Sequence, residues 1–511
     1  MARSPEKLAD ALAALKALQD EGIAAIRSSQ LPRASRELLL RSGFIRLVIK
    51  GWYIPSAPDE PPGDSTAWYA SFWPFAGDYL KFRFGADWCL SAEQSISLHV
   101  GNWTVPRQLL VRAPAGNNKP VGLLYDTSIF DIRLSLPSPQ DMQTKDGMRL
   151  MRLPAALIVC APGQFTAHPI ELRAALAAVR DASEVLNRLL AGSHSIVAGR
   201  LAGAFRNIGR DRIADDIVQA MQAAGFAVHE RDPFNDAPPT QLSSRETSPY
   251  VNRLRLMWGS MRDWVLRTFP PPPGLSKSTS RYLAQVDAIY VTDAYHSLSI
   301  EGYRVSADLI ERVRSGNWNP DAVKADRDQR NALAARGYWQ AFQAVKRSIE
   351  NVLAGRHPGT VADRDHSTWY RELFGPSVTA GILKPADLAG YRNGPIYIRR
   401  SMHVPPSPEA VRDLMPAYFE LLEQEPEPAV RIVLGHFAFV YIHPYFDGNG
   451  RIGRFLMNLM FASGGYPWTV IPLEKRDRYM AALEAASVRG DIKPFAEFLA
   501  GLIGKKAPAP K

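Results

Sequence analysis

Leu8, Leu12, Leu15 and Leu18 recur at helical spacing, predicting an amphipathic first helix closed by Gly22. Ser35 reads as the N-cap of a helix over 36–42, and Phe44-Ile-Arg-Leu-Val-Ile and Trp52-Tyr-Ile flank Lys50-Gly51 as the arms of a hairpin. Residues 1–60 therefore read as helix, short helix, helix, hairpin. Over 66–165, β-rich runs (109–112, 132–135, 156–160) alternate with a helical stretch at 91–99, which predicts an α+β region. Over 166–232 the pattern turns helical, with Leu172, Leu176 and Val179 on one face. Beyond Pro249 it is almost entirely helical.

Two compositional breaks punctuate this pattern. Residues 232–244 are rich in turn formers, and four prolines between Phe269 and Gly274 enforce an extended spacer. The expected organisation is 1–60, 66–165, a helical connection 166–232, a linker 233–249, a helical domain 250–503 and a flexible tail 504–511.

A chain of 511 residues exceeds one ordinary core, and 46% apolar with 22% charged residues fits a globular protein rather than a disordered or fibrous one. The N-terminal pattern has no apolar signal core and no apolar run is long enough to span a bilayer, so a cytoplasmic protein without membrane attachment is expected. Cys89 and Cys160 have no metal or redox spacing. The net charge of +10 favours polyanionic partners.

The chemistry concentrates in His443-Pro-Tyr-Phe-Asp-Gly-Asn-Gly-Arg-Ile-Gly-Arg454. The apolar run 427–442 predicts a buried central helix, ended at His443 because Pro444 disfavours helix in the residue before it. A second helix is predicted from Asn449 to Phe461, stopped by Gly464-Gly465. Gly448 and Gly450 allow close approach of the backbone to an anion, and the free amides and dipole of the second helix favour phosphate. Arg451 and Arg454 share a helix face and can both grip phosphate oxygens. Asp447 is placed to ligate a magnesium ion bridging phosphates. His443 has an ordinary pKa suited to taking a hydroxyl proton near neutral pH. Singly, each feature has a plain structural explanation, but twelve consecutive residues carrying all of them point to phosphate chemistry.

This segment resembles the Fic signature His-Pro-Phe-x-Asp/Glu-Gly-Asn-Gly-Arg-x-x-Arg, with Tyr445 where Phe is usual. The resemblance extends over roughly 250–503 and implies a mainly α Fic fold with a β-hairpin flap. It further implies AMP transfer from Mg-ATP to a Ser, Thr or Tyr hydroxyl of a protein substrate. His443 would then be the base and Asp447 would hold Mg²⁺. Gly448, Asn449 and Gly450 would form the anion hole, with Arg451 and Arg454 on the outer phosphates and Tyr479 lining the nucleotide pocket. Residues 390–406 resemble the flap, whose Ile396, Tyr397 and Ile398 would register a target segment by strand-like pairing. Ser297-Leu-Ser-Ile-Glu301-Gly302 resembles the family's inhibitory motif, at the end of a helix beginning near Ala284. It implies that Glu301 holds Arg454 and blocks a productive γ-phosphate, and in some relatives the same glutamate serves AMP removal.

Between Arg27 and Lys50 six basic residues face one acid, Glu37. The region resembles the N-terminal part of AbiEi-type antitoxins, so the mainly α domain is expected to follow an α+β region bearing a winged helix-turn-helix. Arg33, Ser35, Arg36, Arg41, Arg46 and Lys50 are the expected DNA contacts. An alternative is a DNA-binding, antitoxin-like regulator whose Fic domain senses nucleotide. The expected partners are a protein substrate, DNA and a second copy of the chain as a homodimer.

Overall fold

The computed structural model describes residues 4–61, 63–243, 246, 248–318 and 329–505. The expected tail lies outside them from residue 506, as do residues 244, 245 and 247 of the expected linker. The chain forms two compact units, Met1–Arg253 with Ile396–Val404, and Leu254–Pro395 with Pro405–Lys511.

The N-terminal unit begins with α1 (Ser4–Asp20), β1 (Ile26–Arg27), α2 (Arg33–Arg41), β2 (Ile45–Ile49) and β3 (Trp52–Pro55). The strands form an antiparallel sheet of order β1-β3-β2, and the hairpin predicted around Lys50-Gly51 is present. Ala11, Leu15, Ile26, Leu31, Leu39 and Ile45 close a small core between the helices and the sheet. Two details correct the sequence reading. The expected second, short helix is a two-residue strand followed by a turn, and α2 begins at Arg33 with Pro32 at its N-cap, so Ser35 lies inside the first turn. Proline fixes the backbone at that helix entry without any side-chain cap.

Next come α3 (Thr66–Phe84), β4 (Cys89–Leu90), α4 (Ala92–His99), β5 (Gln108–Ala113), β6 (Pro120–Gly122), β7 (Ser128–Arg133), β8 (Met142–Lys145) and β9 (Met148–Met151). The sheet order is β4-β5-β7-β6, with β5 and β7 parallel and Leu109 opposite Ile129. Helix α3 is apolar on nearly every face, which hides it from a search for amphipathic periodicity. It buries Trp68, Phe72, Trp73, Phe75 and Tyr79 in the main core of this unit. Edge-on contacts such as Trp68–Phe72 and Trp73–Trp103 each add on the order of 1 kcal/mol beyond burial.

The run 156–160, expected as strand, lies mostly in helix α5 (Leu153–Val159), because Pro154 sets its first turn and a short apolar run carries no period of its own. Helices α6 (Gln164–Ala167), α7 (Pro169–Ala178), α8 (Ser183–Ala191), α9 (Ser195–Asn207) and α10 (Asp211–Ala223) complete this part. Cys89 and Cys160 are separate buried thiols, pushed by burial up to about 11 and about 12, which keeps them protonated and unreactive.

Residues 396–404 are built into this same unit. Met402 and Val404 pack on the aromatic core, and Val105 N–H donates to the Met402 carbonyl at 2.9 Å. Arg399 Nε donates to Asp64 at 3.0 Å, and the Arg400 amide donates to the Thr66 hydroxyl at 3.0 Å. Burial of Asp64 opposes its charge, but the Thr66 hydroxyl and amide and Arg399 outweigh that and hold the carboxyl at about 2.

Helix α11 (Pro249–Thr268) runs through the 253/254 boundary into the second unit, which is helical: α12 (Thr279–Ile300), α13 (Ala307–Ser315), α14 (Gln329–Leu353), α15 (Pro358–Thr379), α16 (Pro408–Gln424), α17 (Pro428–Ile442), α18 (Asn449–Ser463), α19 (Arg476–Arg489) and α20 (Lys493–Ala500). Every residue of α17 from Ala429 to Ile442 is buried, as an apolar helix interrupted only by Arg431 and His436 must be in water. It packs along α18 and also meets α16, α19 and α20, while α14 lies along α15. No helix of the described residues is long and apolar enough to cross a membrane.

Candidate functional site

The site is the turn between α17 and α18. His443 ends α17 in the left-handed conformation (φ +53°), a region costly for a residue with a Cβ. Its ring Nδ1 lies 3.0 Å from the Val440 carbonyl. A carbonyl can only accept, so Nδ1 carries the hydrogen and Nε2 keeps its lone pair. Burial lowers the imidazole pKa and Arg392 adds to that, while the Val440 contact, Glu301 and Asp447 oppose it. The ring is therefore a neutral base at physiological pH.

Gly448 is required by its positive φ and the ring beside it, whereas Gly450 faces the movable Glu301 carboxylate. Gly448 caps α18 at φ +81°, and a Cβ there would come within 2.8 Å of the Phe374 ring. A Cβ on Gly450 would meet a Glu301 carboxylate oxygen at 2.3 Å. The first ladder bond of α18 runs from Ile452 N–H to the Gly448 carbonyl at 2.9 Å, which leaves the amides of Asn449, Gly450 and Arg451 ahead of it. Asn449 spends its side chain on both backbone groups of Tyr445, at 2.9 and 2.7 Å, and so staples the loop. Its part in an anion site falls to its backbone amide.

Arg451 and Arg454 are almost fully buried. Arg454 donates from Nε to the Ser297 hydroxyl (2.8 Å) and from Nη2 to the Ser297 carbonyl (3.0 Å) and a Glu301 carboxylate oxygen (2.7 Å). Burial works against its charge, and the Glu301 carboxylate more than offsets this, raising its pKa. Glu301 reaches this point because α12 ends at Ile300 and Gly302 takes φ +89°, letting Tyr303 N–H bond back to the Leu298 carbonyl. The helix starts at Thr279, five residues before the expected Ala284.

Arg451 lies between the rings of Tyr303 (5.2 Å) and Phe374 (5.0 Å), with Asp447 at 3.1 Å. Arg451 Nε and Arg454 Nη1 are buried and make no hydrogen bond among the described residues, so each has a donor left for an anion. Asp447 gives one oxygen to the Gly448 amide and remains largely exposed. Among the described residues no cluster of three or more His, Cys, Asp or Glu could cage a metal. One accessible carboxylate beside the head of α18 suits a magnesium ion that takes its remaining ligands from phosphate and water.

Other expected residues occupy different settings. Tyr479 is buried, with its hydroxyl on His436 at 2.7 Å; burial raises it to about 12 while the neighbouring Arg454 guanidinium pulls the other way. Tyr445 stacks on Tyr370 at 3.9 Å, and its hydroxyl has no hydrogen bond among the described residues. No strand forms over Ile396, Tyr397 and Ile398, so the expected flap hairpin is absent. Neighbouring prolines at 395, 405 and 406 withhold ladder donors.

In the N-terminal unit Arg36 donates to the Ser28 carbonyl, and Arg46 donates to the Asp64 carbonyl, Tyr125 and Glu60, so these two guanidiniums are engaged internally. Arg33, Arg41 and Lys50 are exposed, with Arg33 paired to Glu37 at 2.8 Å.

The sequence reading overlooked four groups. Arg392 holds the backbone of the α17–α18 turn, and Tyr303 stacks on Arg451. His436 is fixed between the Gly453 carbonyl and Tyr479. Asp293, whose carboxyl pKa burial raises, accepts from Tyr338 at 2.7 Å in the helix that carries Ser297. A lone polar residue within an apolar helical run, as at Asp293 and His436, was the available signal.

Residues 366–461 match the Fic/DOC family. Two relatives named protein adenylyltransferase Fic, from Drosophila willistoni and Drosophila virilis, are each 36% identical over 215 residues. The match covers 41% of this chain and 39% and 40% of theirs. The chain thus spans about two fifths of the length of these relatives. A solved structure of Fic-1 (aa134 - 508) from C. elegans superposes with a TM-score of 0.33 at 20% identity, covering 63% of this chain and 88% of that one.

Proposed function

We propose that this chain is a Mg-ATP-dependent protein adenylyltransferase that moves AMP onto a Ser, Thr or Tyr hydroxyl of a target protein. The observation that carries the reading is the head of α18, where a neutral imidazole, three leading amides and two buried arginines with open donors share one turn. The matched relatives bear the name of that activity. In the reaction His443 Nε2 takes the proton of the target hydroxyl. The hydroxyl oxygen forms a bond to the α-phosphorus of ATP, and the bond from that phosphorus to the bridging oxygen breaks, releasing pyrophosphate. The leading amides of Asn449, Gly450 and Arg451 donate to phosphate oxygens, the Gly448 amide being taken by Asp447, and the Arg451 and Arg454 side chains hold the outer phosphates. Asp447 would hold the magnesium ion, which supplies charge neutralisation of the phosphates.

Glu301 occupies the donor that a γ-phosphate would use and sets a carboxylate against the head of α18. The resting protein is therefore autoinhibited, and the same carboxylate is placed to serve the reverse removal of AMP. The test compares wild type and Glu301→Gly with ATP labelled at the α- or the γ-phosphate. Self-labelling from the α-phosphate should rise at least about tenfold in the variant, since one decade needs only 1.4 kcal/mol. Label from the γ-phosphate instead would replace adenylylation with phosphorylation, and unchanged labelling would remove the brake.

A second reading, a DNA-binding regulator that senses nucleotide, is favoured by the exposed Arg33, Arg41 and Lys50 on α2 and the β2–β3 turn. It requires promoter-region DNA affinity that falls steeply with salt, with a smaller slope when all three are alanine.

A further inference from the structure

Arg392 is buried to 1% exposure and has no carboxylate partner in hydrogen-bonding range among the described residues. A cation in that position must be satisfied by dipoles. Its Nε donates to the His443 carbonyl at 2.8 Å, Nη1 to the Gly394 carbonyl at 3.0 Å, and Nη2 to the carbonyls of Pro406 and, at 3.4 Å, Ile442. The Arg392 amide also donates to the Pro444 carbonyl at 2.9 Å. One side chain thus binds the last two carbonyls of α17 and backbone on both sides of residues 396–404.

The location explains why arginine is needed. His443 is held in the left-handed conformation, uncommon for a residue with a Cβ, and the Arg392 bonds to its carbonyl and to that of Ile442 help to fix it there. Two carbonyls at the C-terminal end of α17 gather the negative end of the helix dipole, and a guanidinium fork meets both while two donors remain for the flanking loop. Lysine could supply the charge there but not the fork.

We propose that Arg392 is a positioning residue for the base, locking the backbone of His443 so that Nε2 points at the reacting hydroxyl. This deepens the adenylyl-transfer reading and rests on it. Burial pushes the Arg392 guanidinium down to about 10, still charged at neutral pH. The groups acting on the His443 ring are Arg392, which lowers its pKa, and Glu301 and Asp447, which raise it.

The test places Arg392→Lys and Arg392→Gln in Glu301→Gly protein. It measures kcat and KM for ATP from α-phosphate label, the acid limb of kcat, and the titration of the His443 ring by NMR. Both variants should lose about tenfold or more in kcat, as a displaced catalytic group does, with KM for ATP within about twofold of the parent. The ring titration and the acid limb should move to higher pH in Arg392→Gln and stay in Arg392→Lys. A rise in KM with kcat intact, an unmoved His443 titration in folded Arg392→Gln, or failure of both variants to fold would overturn the proposal. If the parent itself takes up no α-label, the adenylyl-transfer reading fails, while the NMR titration still decides whether Arg392 acts on His443.

Discussion

Two regions of this chain are rich in arginine and use it in opposite ways. At the head of α18, Arg451 and Arg454 are buried, yet each keeps a donor without a partner. Around α2 and its hairpin, Arg46 saturates itself on Asp64, Tyr125 and Glu60, Arg36 is taken by the Ser28 carbonyl, and the freely exposed Arg33 already has Glu37. A count of basic residues ranks the second region as the better anion site. The geometry of open donors ranks the first. An arginine's worth to a ligand depends on the hydrogen bonds that remain unmade, and sequence spacing tracks that only where the backbone around it is also specified.

Four measurements can break or sharpen this contrast. The largest effect belongs to the base: in Glu301→Gly protein, His443→Ala should cut α-phosphate label incorporation at least about a hundredfold. A residual rate within tenfold of the parent would end the assignment of His443. Next is acid stability. His436 is held by burial at about 4, below its ordinary value of 6.5, while the Gly453 carbonyl pulls the other way. A depressed folded pKa means its contribution is complete above pH 6.5 and is lost as pH falls toward 4, roughly 3 kcal/mol in all. Urea midpoints should fall across that window, less steeply in His436→Gln, and equal slopes would contradict this account.

The third measurement tests the N-terminal side. Arg46→Ala should destabilise by about 2 kcal/mol because it strands the Glu60 carboxylate and two further partners, whereas Arg33→Ala should stay within about 0.5 kcal/mol. Equal losses in thermal melts would erase the distinction between a half-buried, multiply bonded arginine and an exposed, singly paired one. The smallest effect is at Tyr445→Phe, which removes a buried hydroxyl that makes no hydrogen bond among the described residues. The change should be neutral or stabilising by up to about 1 kcal/mol. A loss above that would reveal a partner for the hydroxyl.

What was legible in the sequence follows from the same distinction. The α17–turn–α18 arrangement could be read because an unbroken apolar run, a helix-ending His-Pro pair and glycines at fixed positions constrain one another within a single turn of chain. The pairing of Glu301 with Arg454 was reached by resemblance, since 153 residues separate the partners and no local rule links them. Helix α3 shows no amphipathic stripe because its apolar residues face every direction, and 156–160 reads equally as strand because five apolar residues carry no period. Arg392 was passed over for a related reason. Its partners are backbone carbonyls from three separate stretches, and a carbonyl leaves no trace in the residue types.

Residues 396–404 make the chain cross between its two units at 253/254, 395/396 and 404/405. Because of that crossing, neither unit corresponds to one continuous piece of gene. A fragment starting at residue 254 would carry Met402 and Val404 without the aromatic core that covers them, and a fragment ending at 253 would leave the Val105 amide without its acceptor. Excision at 253/254 therefore takes residues 396–404 away from the first unit and leaves them as an uncovered passenger in the fragment that carries the second.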